Sequence, residues 1–246
     1  MVMSSFKISI ITVSWNCVDT IETTILSIIN QTYSNIEYIV IDGGSTDGTV
    51  DIIKKYLNSI SHWVSEPDDG IYEAMNKGIE IATGEWINFM NSGDTFTHND
   101  VVSDIFVDEY TGVDVIYGNA IEKSEAGEIL MKALQHHKVS LPPIFRHGAC
   151  FVRSDVHKFQ KFDISKKNIF EYALDYHFLF ELHRKGYVFY FKDINILIYE
   201  KEGISNKPLK NKWLRALIEN GGRKDIRFFY NLIRAYYDAA YRKILK

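Results

Sequence analysis

The sequence predicts an α/β domain with a mixed, mainly parallel sheet flanked by helices and a C-terminal helical appendage. Three observations predict it. Short β-branched runs alternate with segments in which apolar residues recur at helical spacing, the pattern of strand–helix–strand units. The early strands each run out into small polar residues, and in open α/β sheets ligands bind in the crevice beyond the carboxyl ends of the strands. Beyond Pro208 the chain becomes basic while keeping an apolar period of three or four residues.

Residues Lys7 to Val13 read as a buried strand by their β-branched content, ending at a Ser14-Trp15-Asn16 loop. Asp19 precedes Ile21, Ile25, Ile28 and Ile29, which are spaced for one face of a helix. Glu22, three residues on, makes Asp19 a candidate capping box. Ile36 to Ile41 form a second strand. A polar, glycine-rich turn, Asp42 to Thr49, leads into a helix from Val50 to Leu57. That turn lacks the lysine of a phosphate loop and the spacing of a dinucleotide site. Asp42 stands where a buried strand meets the crevice, so a nucleobase or ribose contact competes with a capping role.

His62 to Ser65 read as a third strand and Glu66 to Gly70 as a turn. Ile71, Ala74, Met75, Ile79 and Ala82 mark a helix that Gly84 stops. The stretch Glu85 to Asp94 is a fourth strand that breaks into a small polar turn and delivers one carboxylate. Asp94 is either a turn cap or a metal-side or phosphate-side ligand.

Further on, Asn99 to Asp108 predict a short helix, Val113 to Asn119 a strand, and Glu122 to Met131 a hairpin about Gly127. Leu134 to Arg146 form a long polar loop whose His136 and His137 have no partner at metal spacing. A buried strand follows from Arg146 to Val152. Glu171 to Lys185 form a helix with Leu174, Phe178 and Leu182 on its buried face, stopped by Gly186. Asp175 sits in its first turn, where the helix dipole favours the ionised form. Tyr187 to Phe191 and Ile194 to Tyr199 read as closing strands, and Glu200 to Asn206 as a polar loop.

Composition narrows the classes. Cys17 and Cys150 are the only cysteines, which excludes a disulfide framework or zinc spacing and fits a reducing compartment. The run after Lys7 reads as a first strand rather than a leader. No uncharged apolar run reaches the roughly 18 residues that span a bilayer. From Lys207 onward there are 11 Lys+Arg against Glu219, Asp225 and Asp238, a balance of +8. Residues 1–206 therefore carry −12 of the total −4. An acidic body of this kind opposes a nucleic-acid backbone.

Several motifs occur together over some 90 residues: Ile8 to Val13, Gln31-Thr32-Tyr33, Ile41 to Thr49, Glu66 to Gly78, and Asn91-Ser92-Gly93-Asp94. In that order they resemble bacterial family 2 glycosyltransferases. The resemblance implies a GT-A (Rossmann-like) fold, a nucleotide-sugar donor, commonly a uridine diphosphate sugar, and inverting transfer to an acceptor hydroxyl. It implies a catalytic domain over 1–206, with 1–118 binding donor and 119–206 acceptor, and a tail over 207–246. Thr12 and Asp42 match positions that hold nucleobase and ribose, Asp69 an acid beside the nucleoside, and Asn91 a donor-side position. Asp94 matches the last acid of the D-x-D motif, the ligand of a divalent metal, Mg²⁺ or Mn²⁺. The sequence departs from the pattern at Gly43, where a second Asp is usual, and at Ser92, where D-x-D begins.

Ala173 to Leu179 resemble the family's late Asp-Tyr-Asp-Phe-Leu segment, with His177 in place of the second Asp. On that resemblance Asp175 is the general base; its bland alternative is a helix-terminal charge. His147 matches an acceptor-side position, or is hydrogen-bonded structure. In the tail, Ile226, Phe229, Ile233, Tyr237, Ala240 and Ile244 form a stripe among basic residues. That stripe suits contact with an anionic membrane and a lipid-linked acceptor on the cytoplasmic face, or else packing on the body or a second subunit. An inactive nucleotide-sugar-binding subunit and a sugar nucleotidyltransferase are the rival readings; the second lacks its basic, glycine-rich first loop.

Overall fold

The computed structural model describes residues 6–133, 145–201 and 208–244, with side chains to Tyr236. The expectations for His136, His137, Pro142 and Pro143, for the loop through Glu202 to Asn206, and for the side chains of Tyr237, Ala240 and Ile244 lie outside the described residues. Strand β1 (Ile8–Ser14) lies between β2 (Ile36–Asp42) and β4 (Trp86–Phe89), and β3 (His62–Ser65) flanks β2, all parallel. Their carboxyl ends come together, with Ser14 opposite Asp42 and Asp42 opposite Ser65. The sheet continues through β8 (Cys150–Arg153), β6 (Val115–Ser124), β9 (Phe189–Glu200) and the two-residue β5 (Thr95–Phe96), while β7 (Gly127–Met131) pairs with β6.

Helices α1 (Ile21–Ile29), α2 (Thr49–Lys55), α3 (Ile71–Ile81) and α4 (Val101–Ile105) belong to the donor-side half. Helices α5 (Ser154–Phe159), α6 (Lys167–Phe170) and α7 (Leu174–Arg184) follow, and α8 (Pro208–Glu219) and α9 (Ile226–Ile244) end the chain. Alternate residues of β1 enter different cores. Ile11 and Val13 pack with α3, α7 and α8, whereas Ile8 and Ile10 pack with α1 and α4. Burial on both faces is why the strand reads as a continuous apolar run.

Gly78 lets α3 lie against β1, because a Cβ there would come within 2.6 Å of Ile11 Cγ2. At the opposite end of these strands, Glu37 is buried among Lys7, Ser9 and Thr83.

Three local expectations are corrected. Asp19 does not cap α1: the helix begins after Thr20 without a side-chain cap, and Glu22 accepts the Tyr56 hydroxyl instead, at 2.7 Å. The closing strands are one strand. Lys192 and Asp193 interrupt its apolar pattern but are held by Asp108 and Asn119, and the register shifts beside Gly118, where a Cβ would meet Ile194 O at 2.6 Å. The helix expected from Glu171 starts at Leu174, because Glu171 adopts φ 50°, ψ −118° and turns the chain.

The basic tail folds back. Ala216, Leu217 and Ile218 of α8 are buried in the core that contains α3 and α7, and Leu214 is buried as well. Helix α9 buries Phe228, Asn231 and Ala235, while Ile226, Phe229 and Ile233 of the expected stripe are 88%, 57% and 58% exposed.

Candidate active site

Asp42 ends β2 and has no exposed surface. Its carboxylate accepts from Ser14 Oγ (2.9 Å), Ser65 Oγ (2.7 Å), Ser45 Oγ (2.5 Å), and the backbone N–H groups of Ser45 (2.9 Å) and Gly44 (3.1 Å). Burial alone would push this acid up, but the hydrogen bonds from Ser45, Ser65 and Ser14 hold it below the usual carboxylate range. The charge therefore organises the ends of β1, β2 and β3 and the turn between them. Asn16, at φ 46°, adds a second tie: its Oδ1 accepts Thr46 N–H at 2.9 Å, and its N–H donates to Ser45 Oγ at 2.8 Å.

Thr12 lies deeper, fully buried, donating to Met90 O at 2.8 Å and accepting from the Tyr38 hydroxyl at 3.1 Å. Ser14, two residues on at the end of β1, is also buried and donates to Asp42. Asp69 is exposed, and its backbone carbonyl accepts Lys167 Nζ. Its neighbour Asp68 turns toward Gly43: a Cβ at Gly43 would sit 2.9 Å from Asp68 Oδ2. An aspartate at position 43 would thus collide with one already present.

The turn after β4 is pinned by α1. Thr24 donates to Asp94 O at 2.8 Å and accepts Gly93 N–H at 2.9 Å, and Asp94 N–H donates to Asn91 O at 2.9 Å. Gly93 supplies the positive φ of 95° that this reversal needs. The Asp94 carboxyl makes no hydrogen bond among the described residues, and burial pushes it up to about 7 against the pull of Arg146. Asn91 Oδ1 is also buried without a partner. Asp94 lines a cavity of about 400 Å³ with Thr20, Ser92, Glu125 and Glu200.

These groups suit a divalent cation in a particular way. Asp94 and Asn91 offer two unspent oxygens, and no cluster of three or more His, Cys, Asp or Glu occurs among the described residues. Two protein oxygens fit an ion that takes its remaining ligands from phosphate and water, as Mg²⁺ does, and not a closed protein cage.

The acceptor-side residues meet this edge through Arg146 and His147. His147 stacks on Phe89, the last residue of β4, with centroids 5.2 Å apart, and its Nε2 is buried without a partner among the described residues. Burial holds its imidazole below the usual range although Asp175 pulls it up. Asp175, at the start of α7, accepts from the Tyr72 hydroxyl at 3.2 Å, and burial and that carboxylate together push the tyrosine well above its usual range. Arg146 thus lies within electrostatic reach of Asp94, and His147 within reach of Asp175.

The apolar period read for the helix passes over Tyr72, and Arg146 falls where a polar loop meets a strand. Neither carries a local signal of its role, because each acts through a residue more than 50 positions away. In the position resembling a second aspartate, His177 is buried and stacked on Phe170, 4.8 Å between centroids.

The model of glycosyl transferase family 2 matches residues 9–176. The chain is 43% identical over 101 residues to an uncharacterized glycosyltransferase of Mycobacterium tuberculosis, covering 41% of this chain and 38% of that protein, so it matches well under half of that relative's length. Among solved structures, Staphylococcus aureus TarS in complex with UDP superposes with a TM-score of 0.66 at 19% identity, covering 86% of this chain and 64% of TarS. The mannosyltransferase PcManGT from Pyrobaculum calidifontis, in complex with GDP-Man and Mn²⁺, superposes at 0.67 with 16% identity, covering 95% and 70%. Those likenesses fit the GT-A architecture expected from the sequence. With the match of residues 9–176, they lead to one assignment: the chain belongs to glycosyl transferase family 2.

Proposed function

We propose that the protein is an inverting glycosyltransferase that moves a sugar from a nucleoside diphosphate to an acceptor hydroxyl, with Asp175 as general base. What supports the reading is that two consecutive residues, Arg146 and His147, lie within electrostatic reach of Asp94 and Asp175 respectively, with His147 stacked on Phe89 at the end of β4. An alcohol is too weak an acid to ionise first, so its proton passes to Asp175 as the new C–O bond forms. The electron pair of the old anomeric bond leaves with the diphosphate. Attack opposite the leaving group inverts the anomeric centre, so an α-linked donor yields a β-linkage. Neutral His147 adds no charge beside the base, and its buried Nε2 offers a hydrogen bond on the acceptor side.

Asp94 and Asn91 would hold a divalent ion, Mg²⁺ or Mn²⁺, whose chemistry is to neutralise charge on the departing diphosphate. On the donor side we assign Ser14, Asp42 and Asp68 to the nucleoside end. Thr12 supports them from below and Asp69 stands at the rim. TarS with UDP and PcManGT with GDP-Man support a nucleotide-sugar donor without choosing the base.

The outer face of α9 is proposed to rest on an anionic membrane, which suits a lipid-linked acceptor at the cytoplasmic face. Ile226, Phe229, Tyr230, Ile233 and Tyr236 are exposed there beside Arg227. Sedimentation with phosphatidylglycerol vesicles, lost on Phe229→Ser/Ile233→Ser, supports this; no sedimentation overturns it. Transfer itself is tested by nucleoside diphosphate release from UDP- and GDP-sugars with Mg²⁺ or Mn²⁺, supplying lipid-linked and soluble acceptors. Turnover of one donor supports the reading. Donor binding without turnover across the panel favours a non-catalytic nucleotide-sugar-binding subunit, the reading left open by Gly43 and Ser92.

A further inference from the structure

We propose that Tyr72 is a positioning residue for the transfer step, its buried hydroxyl fixing the turn that aims Asp175. The proposal rests on the reading of Asp175 as base. Helix α7 begins at Leu174 after Ala173, a residue with no side chain to cap it. The first amide is satisfied from another element, because Leu174 N–H donates to the Tyr72 hydroxyl at 3.1 Å. The same oxygen lies 2.6 Å from Tyr172 O and 3.2 Å from Asp175 Oδ1.

One hydroxyl thus touches residues 172, 174 and 175, just after the reversal at Glu171. It carries a single proton. The proton is shared between Tyr172 O, the nearer acceptor, and Asp175 Oδ1. The hydroxyl borders Oδ1, which leaves Oδ2 as the oxygen free to take the acceptor proton. Tyr72 is 6% exposed, and its ring packs against Phe162 with centroids 5.4 Å apart, so the hydroxyl has little freedom to wander.

The burial that pushes the phenol far above its usual range also keeps it a donor across the working pH range. The other titratable groups that feel Asp175 are His147 and Cys150, on the segment entering β8. Burial holds the first neutral and pushes the thiol up, so neither competes for the carboxylate by charge.

The helix carrying Tyr72 follows the turn of Glu66 to Gly70, at the donor end, whereas Asp175 belongs to the acceptor side. Their sequence separation of 103 makes the contact a direct link between the two halves. A shift of that turn on donor binding would be felt at the base through one side chain.

The test is Tyr72→Phe, which removes the oxygen and keeps the ring, assayed on the donor that wild type turns over. Loss of one hydrogen bond to a charged group predicts a kcat lower by about tenfold. KM for the donor should stay within about twofold, as expected for an interaction made mainly in the transition state.

Phe162→Leu serves as the packing control. It weakens the ring contact and leaves the hydroxyl in place, so it should lower the melting temperature while kcat stays within about twofold. An unchanged kcat in Tyr72→Phe, or the same loss of kcat in Phe162→Leu, overturns the positioning role. Full activity of Asp175→Asn in the parallel assay would instead remove the base assignment itself.

Discussion

Replacing Glu37 by Gln should destabilise the fold by an amount that depends on pH. The carboxylate is 2% exposed, accepting Lys7 Nζ at 2.8 Å, Ser9 Oγ at 2.6 Å, and Thr83 through its N–H at 2.7 Å and its hydroxyl at 2.5 Å. Burial alone would raise this acid, but those hydrogen bonds bring it from the ordinary 4.5 down to about 2. A depression of that size corresponds to at most about 3 kcal/mol of stability at neutral pH. Lys7 is 41% exposed, so solvent screens its half of the pair, and we take about 2 kcal/mol.

Because the folded value is depressed, the contribution is complete above the unfolded value near 4.5. It is lost as pH falls toward 2. Urea denaturation should therefore show Glu37→Gln less stable than wild type by about 2 kcal/mol at pH 7, with the deficit shrinking to about 1 kcal/mol or less at pH 3. An equal deficit at both pH values would refute the reasoning, since lost packing or neutral hydrogen bonds would then be the cause. No deficit at pH 7 would mean that the buried charge is not stabilising at all.

Two further substitutions probe the site and its frame. Gly78→Ala drives a methyl into Ile11 and should cost about 1–3 kcal/mol by thermal melting, with donor affinity reduced no more than stability accounts for. Asp94→Asn should do the reverse when metal is chelated. Asp94 is raised to about 7, so its ionisation works against folding as pH climbs from the unfolded range near 3.8, and the whole penalty is present above 7. The variant should melt higher than wild type at pH 8, by roughly 1–2 kcal/mol after allowing for the part of the site open to water, and equally at pH 4. A variant less stable at pH 8 would mean that the carboxylate already has a compensating partner.

Much of the donor side was legible in the sequence because its determinants are local. A β-branched run followed by an apolar helical period identifies β1–α1 and β2–α2, and Asp42 and Asp94 stand out as acids that end strands. Asp42 was open between contact and cap, and the five donors around it, two of them backbone N–H groups of its own turn, are those of a cap. What local pattern cannot carry is partnership across the fold. Asp19 has the spacing of a capping residue, yet Glu22, its would-be partner, accepts from Tyr56.

Thr12 and Ser14 share one face of β1 and both are buried, and only the fold shows that the first bonds to Met90 O and Tyr38 and the second to Asp42. Tyr72 lies off the apolar period read for its helix; its link to Asp175 exists only because α3 and α7 share a core. Lys192 and Asp193 read as a break, because the strand pattern takes no account of charged partners on other elements. In the tail the period was right and its direction open. Helix α8 supplies enough buried surface to hold α9 through Phe228 and Ala235, leaving the stripe outside.

The claim that Asp175 takes the acceptor proton is tested most directly by Asp175→Asn, which keeps the size of the side chain and removes its basicity. Donor affinity, measured calorimetrically with the intact chain, should stay within about twofold, while nucleoside diphosphate release with acceptor should fall by about 10²–10⁴-fold. Release at the wild-type rate with donor affinity unchanged would contradict the account, because the proton would then leave by another route.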